Sequence, residues 1–128
     1  MLKLPTVMLA HQSASGCHYD WMLADPRDPT GRLWTARTEV PSFRWRCVDR
    51  FELTQINSHR RAFLTYQGPL SGDRGTVQRI DQGCALAWMW ADDRILLQLQ
   101  MRHFVGVVQL ECAEGALWRA RFISKVRG

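Results

Sequence analysis

Apolar and polar residues alternate with a period of two along much of this chain. From Arg94 to Arg102, Ile95, Leu97, Leu99 and Met101 fall on one side, with Arg94, Gln98, Gln100 and Arg102 on the other. Successive strand residues point to opposite faces, so this is the signature of a half-buried strand. Trp118, Ala120 and Phe122 alternate with Arg119 and Arg121 in the same way. Further β-like runs cover Thr6–Ala10, His18–Ala24, Leu33–Thr38, Phe51–Ile56, Ala62–Gln67, Thr76–Asp81, Ala85–Trp90 and Phe104–Glu111. Turn signals separate them: Asp25-Pro26, Asp28-Pro29-Thr30-Gly31, Gly68-Pro69, Ser71-Gly72-Asp73, Gln82-Gly83, Asp92-Asp93 and Glu114-Gly115. No segment sustains a helical period over three turns, so helix is confined to short pieces, the best placed within Pro41–Arg50. Many short strands at regular spacing predict an all-β fold, a single compact antiparallel β-barrel with one or two short helices.

Length fits that reading. The 128 residues suffice for one domain spanning 1–128, whereas two cores of about 60 residues each would be marginal. The longest apolar stretch, Cys84–Ala91, is far too short to cross a membrane as a helix. Lys3 is followed by a short apolar run that meets His11-Gln12-Ser13 without a cleavage pattern, so a cytoplasmic protein with no membrane partner is expected. The four cysteines, Cys17, Cys47, Cys84 and Cys112, form no Cys-x-x-Cys pair and are expected to be reduced and mostly buried.

Charge adds a partner class. Lys+Arg number 17 against 12 Asp+Glu, a formal net charge of +5, and only Lys3 and Lys125 are lysines. The arginine fork matches phosphate oxygens two at a time, so an Arg-heavy basic chain points to a phosphate-bearing partner, although a GC-rich genome also enriches Arg over Lys. Arg37, Arg44, Arg46, Arg50, Arg60 and Arg61 cluster around His59, which reads either as a phosphate pocket with a proton donor or as a solvated basic loop. His103 has no partner in view, and Gly72-Asp73-Arg74-Gly75 lacks the features of a nucleotide-binding P-loop.

His18 and Asp20 are two apart, so on a strand they project together, while Ser13-Ala14-Ser15-Gly16 is suited to a hairpin that returns His11 beside them. Two imidazoles and a carboxylate make a facial set with open positions for Mn²⁺, Fe²⁺ or Zn²⁺, and they are also ordinary polar groups near a turn.

Taken in chain order, these features resemble the 3′-phosphoesterase domain of bacterial DNA ligase D. That family's His-Tyr-Asp-aliphatic-Arg-aliphatic-Glu motif resembles His18-Tyr19-Asp20-Trp21-Met22-Leu23-Ala24. Its Trp-containing strand resembles Trp34-Thr35-Ala36-Arg37, and its Arg-to-His strand resembles Arg50 through His59. Its Gly-Thr-Val segment resembles Gly75-Thr76-Val77, continuing to Asp81-Gln82-Gly83. The similarity spans nearly the whole chain, as for a stand-alone, divergent member.

The resemblance implies a Mn²⁺-dependent enzyme, with Zn²⁺ or another divalent transition metal as substitutes. Its substrate would be the 3′ end of DNA or a primer-template, from which a 3′-phosphate or 3′-ribonucleoside is removed in DNA repair. Ligase or polymerase activity would come from separate chains, and a monomer is expected. Carried over, His11, His18 and Asp20 would hold the metal, His59 and Arg50 would act on the scissile phosphate, and Arg37 would stand in for a nearby Lys of the family. Met22 stands where the family has its motif Arg, Ala24 where it has Glu, and Phe63 where it has Tyr. A non-catalytic nucleic-acid-binding barrel, or a repair scaffold with a degenerate site, is the alternative.

Overall fold

The computed structural model describes residues 2–126. Nine strands follow in chain order: β1 (Leu4–Ser13), β2 (Gly16–Asp25), β3 (Asp28–Thr38), β4 (Arg50–His59), β5 (Gly68–Pro69), β6 (Thr76–Trp90), β7 (Arg94–Met101), β8 (Val105–Glu114) and β9 (Leu117–Lys125). Two short 3₁₀ helices, η1 (Ser42–Cys47) and η2 (Arg61–Leu64), complete the set. All pairings are antiparallel, in the order β1-β2-β3-β4-β9-β8-β7-β6-β5, and β1 also pairs with β6. The fold is therefore an all-β barrel: eight strands close a ring and β5 lies outside it, beside β6. Closure removes the exposed strand edges that would otherwise template aggregation. No helix among the described residues is long and apolar enough to cross a membrane.

The alternation decides which side chains fill the ring. Met8 lies opposite Trp21 across β1 and β2, Leu53 opposite Trp118 across β4 and β9, and Leu97 opposite Val108 across β7 and β8. All six are buried, and full burial of a large apolar side chain contributes roughly 1.5–3 kcal/mol. Helix η1 places Trp45 among them. Its ring stacks on Phe51 at 5.1 Å and meets Trp21 edge-on at 4.9 Å, while its indole N–H donates to the Val40 carbonyl. The helix expected within Pro41–Arg50 is thus a plug in the barrel.

Asp81 ties that plug down. Its buried carboxylate accepts the Ser42 hydroxyl at 2.5 Å and the backbone N–H groups of Gln82, Arg102 and His103. The β7–β8 connection and η1 are held by one side chain.

Strands β1 to β3 are unusual in being buried on both faces. Val7, Leu9, Met22, Ala24, Leu33 and Thr35 alternate with the barrel-filling residues and so face outward, yet all are buried. The segment after β4 covers them: η2 contacts β1 and β3, and Phe63, Leu64 and Leu70 pack against the buried cluster. This overlay creates an open cleft outside the barrel.

Several sequence expectations need correction. Ala62–Gln67 is η2 and coil rather than strand, because it lies over the sheet instead of within it. Thr76–Asp81 and Ala85–Trp90 are one strand, β6, running straight through Gln82-Gly83. A Cβ on Gly83 would come within 2.0 Å of the Gln100 carbonyl oxygen, so this glycine serves close strand approach rather than a turn. All four cysteines are free, but Cys17 and Cys47 are exposed and Cys84 and Cys112 half-buried: Cys47 lies on η1, and Cys17 and Cys112 stand near the ends of β2 and β8.

Candidate metal centre

The β1–β2 hairpin builds the site. Its turn, with Gly16 at φ 117°, sets a register in which His11 lies directly opposite His18 and Leu9 opposite Asp20. Same-face spacing then places Asp20 behind the imidazole pair. His11 Nδ1 and His18 Nε2 are 2.9 Å apart, and each lies within 3.9 Å of an Asp20 carboxylate oxygen. One donor atom from each residue lies within 4.8 Å of the others, the one such group of three among the described residues.

The surroundings prepare these groups to act as ligands. His11 Nε2 donates to the Arg74 carbonyl oxygen at 2.7 Å. A carbonyl only accepts, so the ring proton sits on Nε2 and the Nδ1 lone pair faces the centre. Asp20 is buried, and Arg37, opposite it on β3, donates from Nε to its Oδ1 at 3.1 Å. Burial presses His18 below the ordinary imidazole range; Asp20 pulls it up, while Arg37 and His11 push it further down, and the net shift is downward. The neutral, ligating form is thereby favoured. Two imidazole nitrogens and a buried carboxylate suit Mn²⁺, Zn²⁺ or Fe²⁺, with outer partners on His11 and Asp20 of the kind that orient metal ligands.

This triad opens into a cavity of about 630 Å³ between β1–β4 and the overlying segment. His59, Arg32, Arg37, Arg60 and Arg74 line it, together with Met22 and Phe63. His59 reaches it because a bulge shifts the β3–β4 register, so that Leu33 lies opposite His59 and Thr35 opposite Ile56. Its Nδ1 donates to the Asn57 carbonyl at 2.8 Å and its ring meets Phe63 edge-on at 5.4 Å, leaving Nε2 to exchange a proton.

Arg50 is not at this site. It begins the strand that His59 ends, and the nine residue steps of extended chain between them span about 30 Å. It lies opposite Arg121 on β9, outside the cavity lining. The expectation that Arg50 acts beside His59 is corrected on that ground. Arg44 and Arg46 belong to η1 and are also absent from the lining. In their place stand Arg60, from the cluster read around His59, and Arg32 and Arg74, which sequence reasoning did not assign to the site. Arg60 was already visible beside His59; Arg32 and Arg74 come from strand pairing and from a loop folded back onto β1.

No protein-family model and no curated protein matches the chain.

Proposed function

We propose that this chain is a divalent-metal-dependent phosphoesterase that trims the 3′ ends of nucleic acid, removing a 3′-phosphate or a 3′-ribonucleoside in DNA repair, as its resemblance to the ligase D phosphoesterase domain implies. The observation that supports this most is the meeting, in one cavity, of the His11–His18–Asp20 triad with His59 and four arginines.

A bound Mn²⁺ or related cation would supply Lewis acidity toward a phosphoryl oxygen and lower the pKa of water. The chain's own residues do the rest. Arg37 fixes Asp20 through Nε, and Arg32, held by Ser58, adds positive charge to the wall where phosphate oxygens would lie. These groups replace the guanidinium that the family's motif carries where Met22 is buried here. In hydrolysis a water oxygen bonds to phosphorus as the bond to the leaving oxygen breaks; His59, doubly protonated at that stage, gives its Nε2 proton to the leaving oxygen, and the proton released by the attacking water restores it through solvent. Met22 and Phe63 give the cavity an apolar stretch of wall.

A second reading, a non-catalytic nucleic-acid-binding barrel, has one observation in its favour. Arg50 and Arg121 lie directly opposite each other on β4 and β9, both exposed, a like-charge pair that a phosphate backbone would neutralise.

The deciding experiment incubates the protein with Mn²⁺ and a primer-template bearing a 3′-phosphate or one 3′-terminal ribonucleotide, beside His18→Ala. Metal-dependent trimming that the variant lacks is expected. Absence of trimming, with the primer still bound in chelator, would overturn the esterase and leave the binding barrel.

A further inference from the structure

A second cleft, of about 330 Å³, adjoins the metal cavity and shares Arg60, Phe63, Leu70 and Arg74 with it. Its own contribution is aromatic. Tyr66 stands perpendicular to Phe63 with ring centroids 5.9 Å apart and remains 39% exposed. The Tyr66 hydroxyl donates to the Pro69 carbonyl, which folds the ring back over Gly68. Gly68, at φ 133°, supplies the backbone conformation that this fold-back requires.

Two guanidiniums stand at the junction of the cavities. Arg60 lies over the Phe63 ring at 5.9 Å, and Arg74 is pinned by two hydrogen bonds to Ser71. No carboxylate belongs to the lining of the cleft among the described residues. A bare phosphate has no use for two rings, and a purely apolar ligand none for two guanidiniums. A flat aromatic group joined to an anion uses both.

We propose that this cleft is a nucleobase subsite: the base of the terminal nucleotide stacks on Tyr66 against the Phe63 wall, while its phosphate lies in the metal cavity beyond Arg60 and Arg74. The placement of the phosphate rests on the proposed function; the base–ring contact does not. Every nucleobase has a π-face, so the subsite favours nucleotides over other phosphate esters with little choice among bases. Phe63 also links the two functions, since the ring that walls the cleft packs against His59.

The test is binding of a 2-aminopurine nucleoside 3′-phosphate in chelator, where no metal-dependent turnover occurs, read by quenching of the base fluorescence. Ribose 3-phosphate serves as a base-free competitor. Quenching on binding is expected, with ribose 3-phosphate competing at least about tenfold less well and Tyr66→Leu weakening the nucleotide about tenfold. Tyr66→Phe keeps the ring but not the hydroxyl bond to Pro69, and is expected to bind closer to the parent than to Tyr66→Leu, which separates lost stacking from lost folding. Equal competition by ribose 3-phosphate, or unchanged affinity in a folded Tyr66→Leu, would overturn the subsite. Base-dependent binding without any trimming would sink the esterase alone; trimming that is indifferent to the base would sink the subsite alone.

Discussion

The His11 ring is held by the backbone of Arg74: its Nε2 donates to that residue's carbonyl oxygen at 2.7 Å across a separation of 63 residues. One hydrogen bond thereby chooses the tautomer that turns Nδ1 toward His18 and Asp20. The same Arg74 side chain lines both cavities. A loop of no obvious chemistry orients a ligand with its main chain and presents charge with its side chain.

Gly75 makes this approach feasible. It adopts φ 94°, and a Cβ there would lie 1.9 Å from the Gln12 carbonyl oxygen. Gly75→Ala is expected to push the loop off β1, destabilising the fold by about 1–3 kcal/mol and weakening Mn²⁺ binding about 10–100-fold through the loss of the His11 partner. Urea unfolding and electron paramagnetic resonance titration of Mn²⁺ check the two effects separately.

Arg37 and Arg50 should part company. Arg37→Gln removes the partner of Asp20 and is expected to reduce metal affinity about 10–100-fold. Arg50→Gln lies remote from the cavity and relieves a like-charge pair with Arg121. Its effect on stability should stay within about 0.5 kcal/mol, with metal affinity unchanged. Calorimetric titration of both variants reads the contrast.

Acid should weaken the metal-free protein through His18. Its folded-state pKa is lowered from 6.5, so below that pH the unfolded chain binds the proton more readily than the folded one. The His18 contribution is fully present above that unfolded value and is lost as pH falls through the lower folded value. Urea midpoints in chelator should drop across that window in the parent and drop less in His18→Ala. An identical slope in the two would contradict the assignment.

Asp81 is the structural counterpart of Asp20. Asp81→Ala leaves the buried Ser42 hydroxyl and the backbone N–H groups of Gln82 and His103 short of an acceptor, while the Arg102 N–H keeps the Gln82 carbonyl. Each buried group left unsatisfied costs about 1–3 kcal/mol, so the loss is expected to reach at least about 3 kcal/mol by urea denaturation.

The strands that alternate cleanly, such as Arg94–Met101 and Leu117–Lys125, are legible because one face fills the barrel and the other meets water. The hairpin that pairs His11 with His18 is legible too, since its small residues mark the turn and the His-x-Asp spacing fixes the face. Covered strands hide more: β1 and β2 bury both faces, so period alone does not reveal that Met22 and Leu9 point outward into a second packed layer. The role of Arg74 is invisible for another reason, because a backbone carbonyl leaves no residue signature. Arg50 misled because clustering along a sequence ignores the length of an extended strand. The turn read at Asp28-Pro29-Thr30-Gly31 falls inside β3, the reversal lying just before it at Asp25–Asp28.

Closure of the ring by β1 against β6 has a kinetic consequence. It pairs Leu4 with Ala85 and Gln12 with Thr76, contacts far apart in the chain, whose loop entropy must be overcome before they contribute. The site straddles this seam: His18 and Asp20 come from a local hairpin, but the carbonyl that orients His11 arrives only when the seam closes. A chain with this seam open would hold His11, His18 and Asp20 without the Arg74 carbonyl that orients His11. A cation that prefers the closed ring shifts the population toward it by mass action, so amide exchange along β1 and β6 should slow when metal is added. A cation held by His11, His18 and Asp20, as proposed, would then act as a latch on the closed ring.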